Sequence, residues 1–285
     1  MSGDGEMGWT VERCLRDATA MLARAGIDGA RGEARLLLSH ATGWPRERLI
    51  GYPEAVVPDV APFLRAVERR AGREPMSHIL GRREFWGRDF QVGPQVLDPR
   101  ADTETLIEAA LAWAKGRAEP LRVLDFGTGS GAILLTLLAE LPGSTGLGID
   151  LSDAALAMAT ANAAALYLGD RVRFQQGSWG EGIEEPFDLI VSNPPYIPTE
   201  DIAGLEPEVT RHEPHLALDG GADGLVAYRS LLPHAARLKA AEGRIVLELG
   251  IGQAEAVTEI ARRVGLLPIG TARDLAGIDR VLILR

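Results

Sequence analysis

Apolar residues recur at helical spacing through the first quarter of the chain. Leu15, Ala18, Met21, Leu22 and Ala25 follow Thr10, which predicts a helix capped by that threonine and ended at Gly26 and Gly29. A second helix is expected over Glu33–His40 around Leu36-Leu37-Leu38. Trp44-Pro45 opens a short third, with proline in the tolerated first turn. A fourth is expected over Pro58–Ala71, with Phe63, Leu64 and Val67 on one face. Together these predict a small all-α bundle over residues 1–75. The period then changes. Glu84 to Val92 sets aromatic residues around Gly87-Arg88-Asp89, which predicts a β-hairpin linker over 76–100, between the bundle and the rest of the chain. Asp102-Thr103 is expected to cap a helix reaching about Gly116. From residue 121 short apolar runs alternate with helical stretches: Arg122–Phe126, Gly146–Asp150, Val172–Gln175, Phe187–Ser192, Arg244–Leu249, Ile269–Arg273 and Arg280–Leu284. That alternation predicts an α/β domain over 101–285, Rossmann-like, with a seven-stranded, mostly parallel, doubly wound sheet. The last two runs leave no room for a crossover helix, so they are expected to pair antiparallel.

Composition narrows the class. Of 285 residues, 46% are hydrophobic and 25% charged, enough to bury a sizeable core. No apolar run approaches the ~20 residues needed to span a bilayer. The start, Met1-Ser2-Gly3-Asp4-Gly5-Glu6, is acidic and lacks the basic and apolar regions of a signal peptide, so a cytoplasmic location with no membrane partner is expected. Cys14 is the single cysteine, which excludes an internal disulfide and a cysteine-rich zinc site; its setting among Leu15 and Ala18 predicts a buried structural thiol. Net charge is −10 and unevenly spread. Residues 1–75 carry 11 basic and 11 acidic side chains, whereas 101–285 carry 15 basic against 26 acidic. A duplex-binding enzyme shows a basic footprint, because phosphate contacts supply much of its affinity. None is visible, which argues against direct nucleic-acid binding.

Three motifs carry the chemistry. Val123-Leu124-Asp125-Phe126-Gly127-Thr128-Gly129-Ser130-Gly131 reads as a buried strand, a glycine-rich turn and a helix start. In such folds a ligand sits beyond the carboxyl end of the first strand, with helix N–H groups facing a carboxylate or phosphate. Asp150 ends the second strand about 20 residues beyond the glycines, where a carboxylate can accept both hydroxyls of an adenosine ribose. A purely structural account makes it a helix-start residue with Ser152 as the cap. At this point NAD and S-adenosyl-L-methionine both fit.

Asn193-Pro194-Pro195-Tyr196, closing the fourth strand, separates them. A rigid turn explains the prolines but neither the asparagine before them nor the tyrosine after. A planar –NH2 has two N–H donors. The Asn193 side-chain oxygen and the Pro194 carbonyl can accept one each, Pro195 stiffens the loop, and Tyr196 can lie against the flat face of the acceptor. That arrangement presents an amide or amino nitrogen to a sulfonium methyl, leaving S-adenosyl-L-homocysteine. Asn193, Pro194 and Tyr196 are thus the expected catalytic groups. Trp179, soon after the third strand, is placed to pack on an adenine ring, although spacing equally allows a half-buried core tryptophan. His212-x-x-His215 has metal-like spacing but lies beside Glu213 and Pro214 in a stretch read as non-helical, and no metal is expected.

With these motifs in hand, the chain resembles the release factor glutamine N5-methyltransferases, the HemK/PrmC family. The resemblance runs through Arg83-Glu84-Phe85-Trp86, Pro99-Arg100 with Asp102-Thr103-Glu104, the glycine loop, and Ser192-Asn193-Pro194-Pro195-Tyr196-Ile197. It continues through Glu213-Pro214, Ala217-Leu218 and Gly220-Gly221-Ala222-Asp223-Gly224-Leu225 to Asp279-Arg280. It implies a class I methyltransferase that methylates the glutamine of the Gly-Gly-Gln loop in peptide chain release factors 1 and 2. It implies cofactor contacts at Gly127, Thr128, Gly129, Ser130, Gly131, Asp150, Trp179 and Asn193, and glutamine contacts at Asn193 to Tyr196. The separate helical pattern of 1–75, which holds no chemical motif, is read as a substrate-docking domain, and a monomer is expected. The sequence departs where the family's Pro-Arg-Pro reads Pro99-Arg100-Ala101 after Asp98, a change expected to loosen that loop slightly. The competing readings are a nucleic-acid amino-methyltransferase acting on adenine N6 or guanine N2, a dinucleotide-dependent oxidoreductase without an evident catalytic acid, and a non-catalytic adaptor.

Overall fold

The computed structural model describes residues 8–285; the acidic start at Met1–Glu6 lies outside them. The chain divides into two compact units. One comprises the chain up to Gly81 together with Pro207–His212, the other Arg82–Glu206 with Glu213–Arg285.

The first unit is helical. α1 spans Val11–Arg24, and the Thr10 hydroxyl accepts from the Arg13 amide at 3.3 Å as its N-cap. α2 (Ala30–Thr42) starts three residues earlier than its apolar pattern, directly after Gly29 in the left-handed region. α3 (Arg46–Gly51) has Pro45 at its N-cap. α4 (Ala61–Ala71) begins later than Pro58, because the Asp59 carboxylate accepts from the Ala61 amide and closes a turn there. α5 (Met76–Leu80) falls where a linker was expected. Cys14, Leu22, Leu37, Leu38 and Phe63 form the wholly buried centre. Burial pushes the Cys14 thiol up to about 11, so it packs as a small apolar residue.

The second unit opens with the hairpin β1 (Arg82–Phe85) and β2 (Arg88–Gln91). Its turn is Trp86-Gly87, not Gly-Arg-Asp. Both residues sit at positive φ, +53° and +69°, as a tight two-residue hairpin turn requires. Glu104 accepts from the Trp86 amide at 3.0 Å and Glu84 from the Gly87 amide at 2.8 Å, which holds the tryptophan there. A 3₁₀ turn over Ala101–Thr103 leads into α6 (Glu104–Ala114). Thr103 makes no capping bond to that helix, contrary to expectation, because its side chain is engaged elsewhere.

The sheet is then built from β3 (Arg122–Phe126), α7 (Ala132–Glu140), β4 (Thr145–Asp150), α8 (Asp153–Ala165), β5 (Val172–Gln176) and β6 (Phe187–Ser192). Next come α9 (Pro207–His212), α10 (Val226–Leu238), β7 (Lys239–Glu248), α11 (Ala254–Arg263), β8 (Pro268–Arg273) and β9 (Asp279–Leu284). The strand order is β5-β4-β3-β6-β7-β9-β8. Pairing is parallel up to β7, and β9 runs antiparallel to both of its neighbours. Alternation along the strands fills both faces. Val123, Leu189, Val191 and Val246 pack with α6 and α7, while Leu124, Phe126, Ile190, Ile245 and Leu247 pack with α10 and α11. The winding reverses between β3 and β6, so a crevice opens at the carboxyl ends of those two strands.

α9 occupies a stretch read as non-helical and belongs to the first unit. Glu208 accepts there from Arg70 at 2.9 Å and from Arg73 at 2.8 Å. Arg70, only 7% exposed, also pairs with Glu33 at 2.6 Å. This distant ion-pair network, invisible to local periodicity, holds the six-residue helix.

Candidate active site

The glycine loop leaves β3 at Phe126. Gly127 and Thr128 both donate to the Ile149 carbonyl, at 2.8 and 3.0 Å, which ties the loop to β4. Gly127 and Gly129 adopt φ of +69° and +54°, where a side chain is strained. The Thr128 hydroxyl donates to Asp125 at 2.7 Å. Asp125 is fully buried beneath the loop, and burial raises its carboxyl to about 7 against the opposing Thr128 bond.

Asp150 stands at the end of β4. Its Oδ2 accepts from the Gly129 amide and its Oδ1 from the Ser152 amide, each at 2.9 Å. Each oxygen keeps a lone pair for a further donor. Ser152 meanwhile caps α8 through the Ala155 amide. Both accounts of this stretch therefore hold together: a structural tether and an open pair of acceptors. Trp179 sits at φ +52° and meets Phe126 edge-on, with ring centroids 6.2 Å apart.

Asn193 comes directly after β6, whose last residue, Ser192, donates to the Phe126 carbonyl at 2.7 Å and so fixes the two strand ends together. The Asn193 Nδ2 donates to the Thr103 hydroxyl oxygen at 3.2 Å. Pro194 is buried. The Tyr196 hydroxyl donates to Glu248 at 3.2 Å. Glu248, on β7 and 1% exposed, has its carboxyl raised by burial to about 7, opposed by hydrogen bonding from Thr103 and Tyr196. Burial and the Glu248 charge push the Tyr196 hydroxyl above its ordinary range. Beyond the motif, Gln253 donates to the Tyr196 carbonyl at 2.9 Å and to the Gly224 carbonyl at 3.3 Å. A Cβ at Gly224 would strike the Tyr196 carbonyl and Gln253, which gives that glycine its reason.

These pieces meet around one cavity of about 240 Å³. Gly127, Thr128, Gly129, Ser130, Asp150, Trp179, Asn193 and Pro195 line it. Gly131, Pro194 and Tyr196 do not. Gly131 sits at φ +80° at the start of α7, where a Cβ would press on Ala159 and Leu135. Sequence reasoning gave no place in the site to part of the wall: Gln95 to Pro99, Thr103, Leu216 and Ala217. Thr103 was legible only as a helix cap, and Glu248 and Gln253 carried no signal beyond their place after an apolar strand.

A family model described as the PrmC N-terminal domain matches residues 13–81, and one described as a methyltransferase domain matches residues 118–217. A release factor glutamine methyltransferase of Rhodospirillum rubrum is 48% identical over 98% of this chain and 86% of its own length. The corresponding protein of Caulobacter vibrioides is 45% identical over 97% of this chain and 96% of its own. The chain belongs to the release factor glutamine methyltransferase family. Its second unit is a class I methyltransferase fold, as expected. Two solved structures agree on that fold alone. One is the hMettl16 catalytic domain in complex with MAT2A 3'UTR hairpin 6 (TM-score 0.56, 17% identity, 76% of this chain and 81% of that one). The other is a ribosomal protein L11 methylase of Lactobacillus delbrueckii (TM-score 0.50, 20% identity, 68% and 83%). Among the described residues no helix is long and apolar enough to cross a membrane.

Proposed function

We propose that this methyltransferase acts on the side-chain amide nitrogen of the glutamine in the Gly-Gly-Gln loop of peptide chain release factors 1 and 2. S-adenosyl-L-methionine supplies a methyl group activated on positively charged sulfur and departs as S-adenosyl-L-homocysteine. The observation that carries the reading is the meeting of Asp150, the glycine loop and Asn193 on a single cavity. That cavity suits the cofactor. The two free lone pairs of Asp150 match a vicinal ribose diol, Trp179 offers a ring face or edge to adenine, and buried Asp125 anchors the loop that faces the methionine end.

The chain's own groups then orient the acceptor. An amide nitrogen is a poor nucleophile because its lone pair is shared with the carbonyl. Asn193 Oδ1 and the Pro194 carbonyl each accept one N–H, which raises electron density on nitrogen as the new bond forms. Such oriented acceptors act with little reorganisation, and holding the reacting atoms ~3 Å apart in line supplies much of the acceleration. The first unit is read as the surface that docks the much larger release factor, so that its loop reaches the cavity at high effective concentration. Incubation with methyl-labelled S-adenosylmethionine and each purified release factor, followed by peptide mapping, tests the proposal. One added methyl on the Gly-Gly-Gln glutamine is expected. Label in nucleic acid but not in release factor would refute it.

A further inference from the structure

A primary amide has two ends of nearly equal shape, and rotating it by 180° exchanges an acceptor for a donor. At Asn193 that exchange is decisive. With oxygen toward the cavity the residue accepts from a glutamine –NH2, whereas with nitrogen there two donors face each other. We propose that Thr103 is the positioning residue that fixes this choice, holding Nδ2 away from the acceptor and Oδ1 toward it. The inference rests on the reading of Asn193 as an acceptor for the substrate amide.

Three observations carry it. Asn193 Nδ2 donates to the Thr103 oxygen at 3.2 Å, and both residues line the cavity. Thr103 precedes α6 yet gives that helix no capping bond, so its hydroxyl is reserved for another partner. Hydrogen bonding from Thr103 favours the Glu248 carboxylate, which also accepts a hydrogen bond from the Tyr196 hydroxyl at 3.2 Å. A hydroxyl has one proton and two lone pairs. In its ionised form Glu248 can only accept, so the Thr103 proton turns toward it and the Thr103 lone pairs turn toward Asn193. Thr103 is 3% exposed and Glu248 1%, so water has little access to scramble the order. The sequence Glu248, Thr103, Asn193 thus transmits a donor-acceptor polarity from a buried carboxylate to the acceptor amide.

The test uses the full chain, a purified release factor and labelled S-adenosylmethionine. Thr103→Val keeps the shape and removes the lone pairs. It should lower kcat roughly 10- to 100-fold, somewhat less than deleting an oriented polar contact outright, while S-adenosylhomocysteine affinity by calorimetry stays within about twofold. Thr103→Ser should restore most of the rate, a rescue that mere filling of space would not give. In an Asn193→Ala background, adding Thr103→Val should change the residual rate by less than about twofold, because the residue acts through Asn193. Should the valine variant lose its fold, Thr103→Ala carries the same comparison. Near-normal turnover in Thr103→Val, no rescue by serine, or fully multiplicative losses in the double variant would each overturn the proposal. If Asn193→Ala alone turns over normally, the acceptor reading of Asn193 itself fails. If Asn193→Ala is crippled and Thr103→Val is not, only the positioning role fails.

Discussion

Replacing Asp150 with alanine separates binding from scaffolding at the most ordinary-looking residue of the site. Its two oxygens already hold the Gly129 and Ser152 amides at 2.9 Å. The substitution therefore removes two backbone tethers in the free protein and two ribose contacts in the complex. Hydrogen bonds to a charged acceptor contribute about 1.5–3 kcal/mol, but a relaxed loop and water recover part of that, leaving about 2–4 kcal/mol for the ribose pair. That corresponds to roughly 30- to 900-fold in Kd. Calorimetric titration with S-adenosylmethionine and separately with S-adenosylhomocysteine should show equal losses, since the two share the ribose and differ only at sulfur. Denaturant unfolding of the unliganded variant should show a smaller change, about 1–2 kcal/mol for the lost tethers. Unchanged affinity for both ligands, with the stability loss intact, would refute the ribose assignment and leave Asp150 as scaffold alone.

Asn193→Ala should lower kcat roughly 10²- to 10³-fold with cofactor affinity little altered, read by single-turnover methyl transfer. Glu248→Gln should become the more stable protein as pH rises. The native carboxyl titrates near 7 while the unfolded one is already ionised above about 5, so the parent loses stability across that interval and the variant does not; the difference should reach about 3 kcal/mol by pH 8, checked by urea unfolding at pH 5 and pH 8. Ala101→Pro should stabilise by about 0.4–1 kcal/mol: Arg100 before it is extended at ψ 149° and the Ala101 amide donates no hydrogen bond, so a lower midpoint in denaturant would contradict this. Deleting residues 1–75 should raise KM for intact release factor far more than for a short Gly-Gly-Gln peptide, and equal losses on both would count against docking.

The alternation of apolar strands and helices was sufficient for the sheet. Phe187–Ser192 was bounded to the residue, and the antiparallel β8–β9 pair could be read from chain length alone. Local pattern failed where a distant partner decides. Trp86 at positive φ depends on Glu104, and Thr103 is diverted from capping by Asn193, 90 positions later. The site was legible wherever a residue type is chemically unusual for its setting, as with asparagine before two prolines. Glu248 gave no such sign, because a carboxylate ending a strand looks exposed until the fold closes over it.

The placement of α9 bears on the order in which the chain matures during synthesis. Most of the first unit emerges early, yet Arg70 has a single carboxylate partner, Glu33, until Glu208 is made 138 residues later. A nascent chain arrested before residue 207 therefore holds a helical bundle whose buried guanidinium has one of its two carboxylate partners, and closing so long a loop carries an entropic cost that local helix contacts never meet. Protease resistance of the bundle should accordingly rise in two steps along a series of ribosome-bound lengths, the second only once α9 has cleared the exit tunnel. The helical unit is begun first and finished after β6.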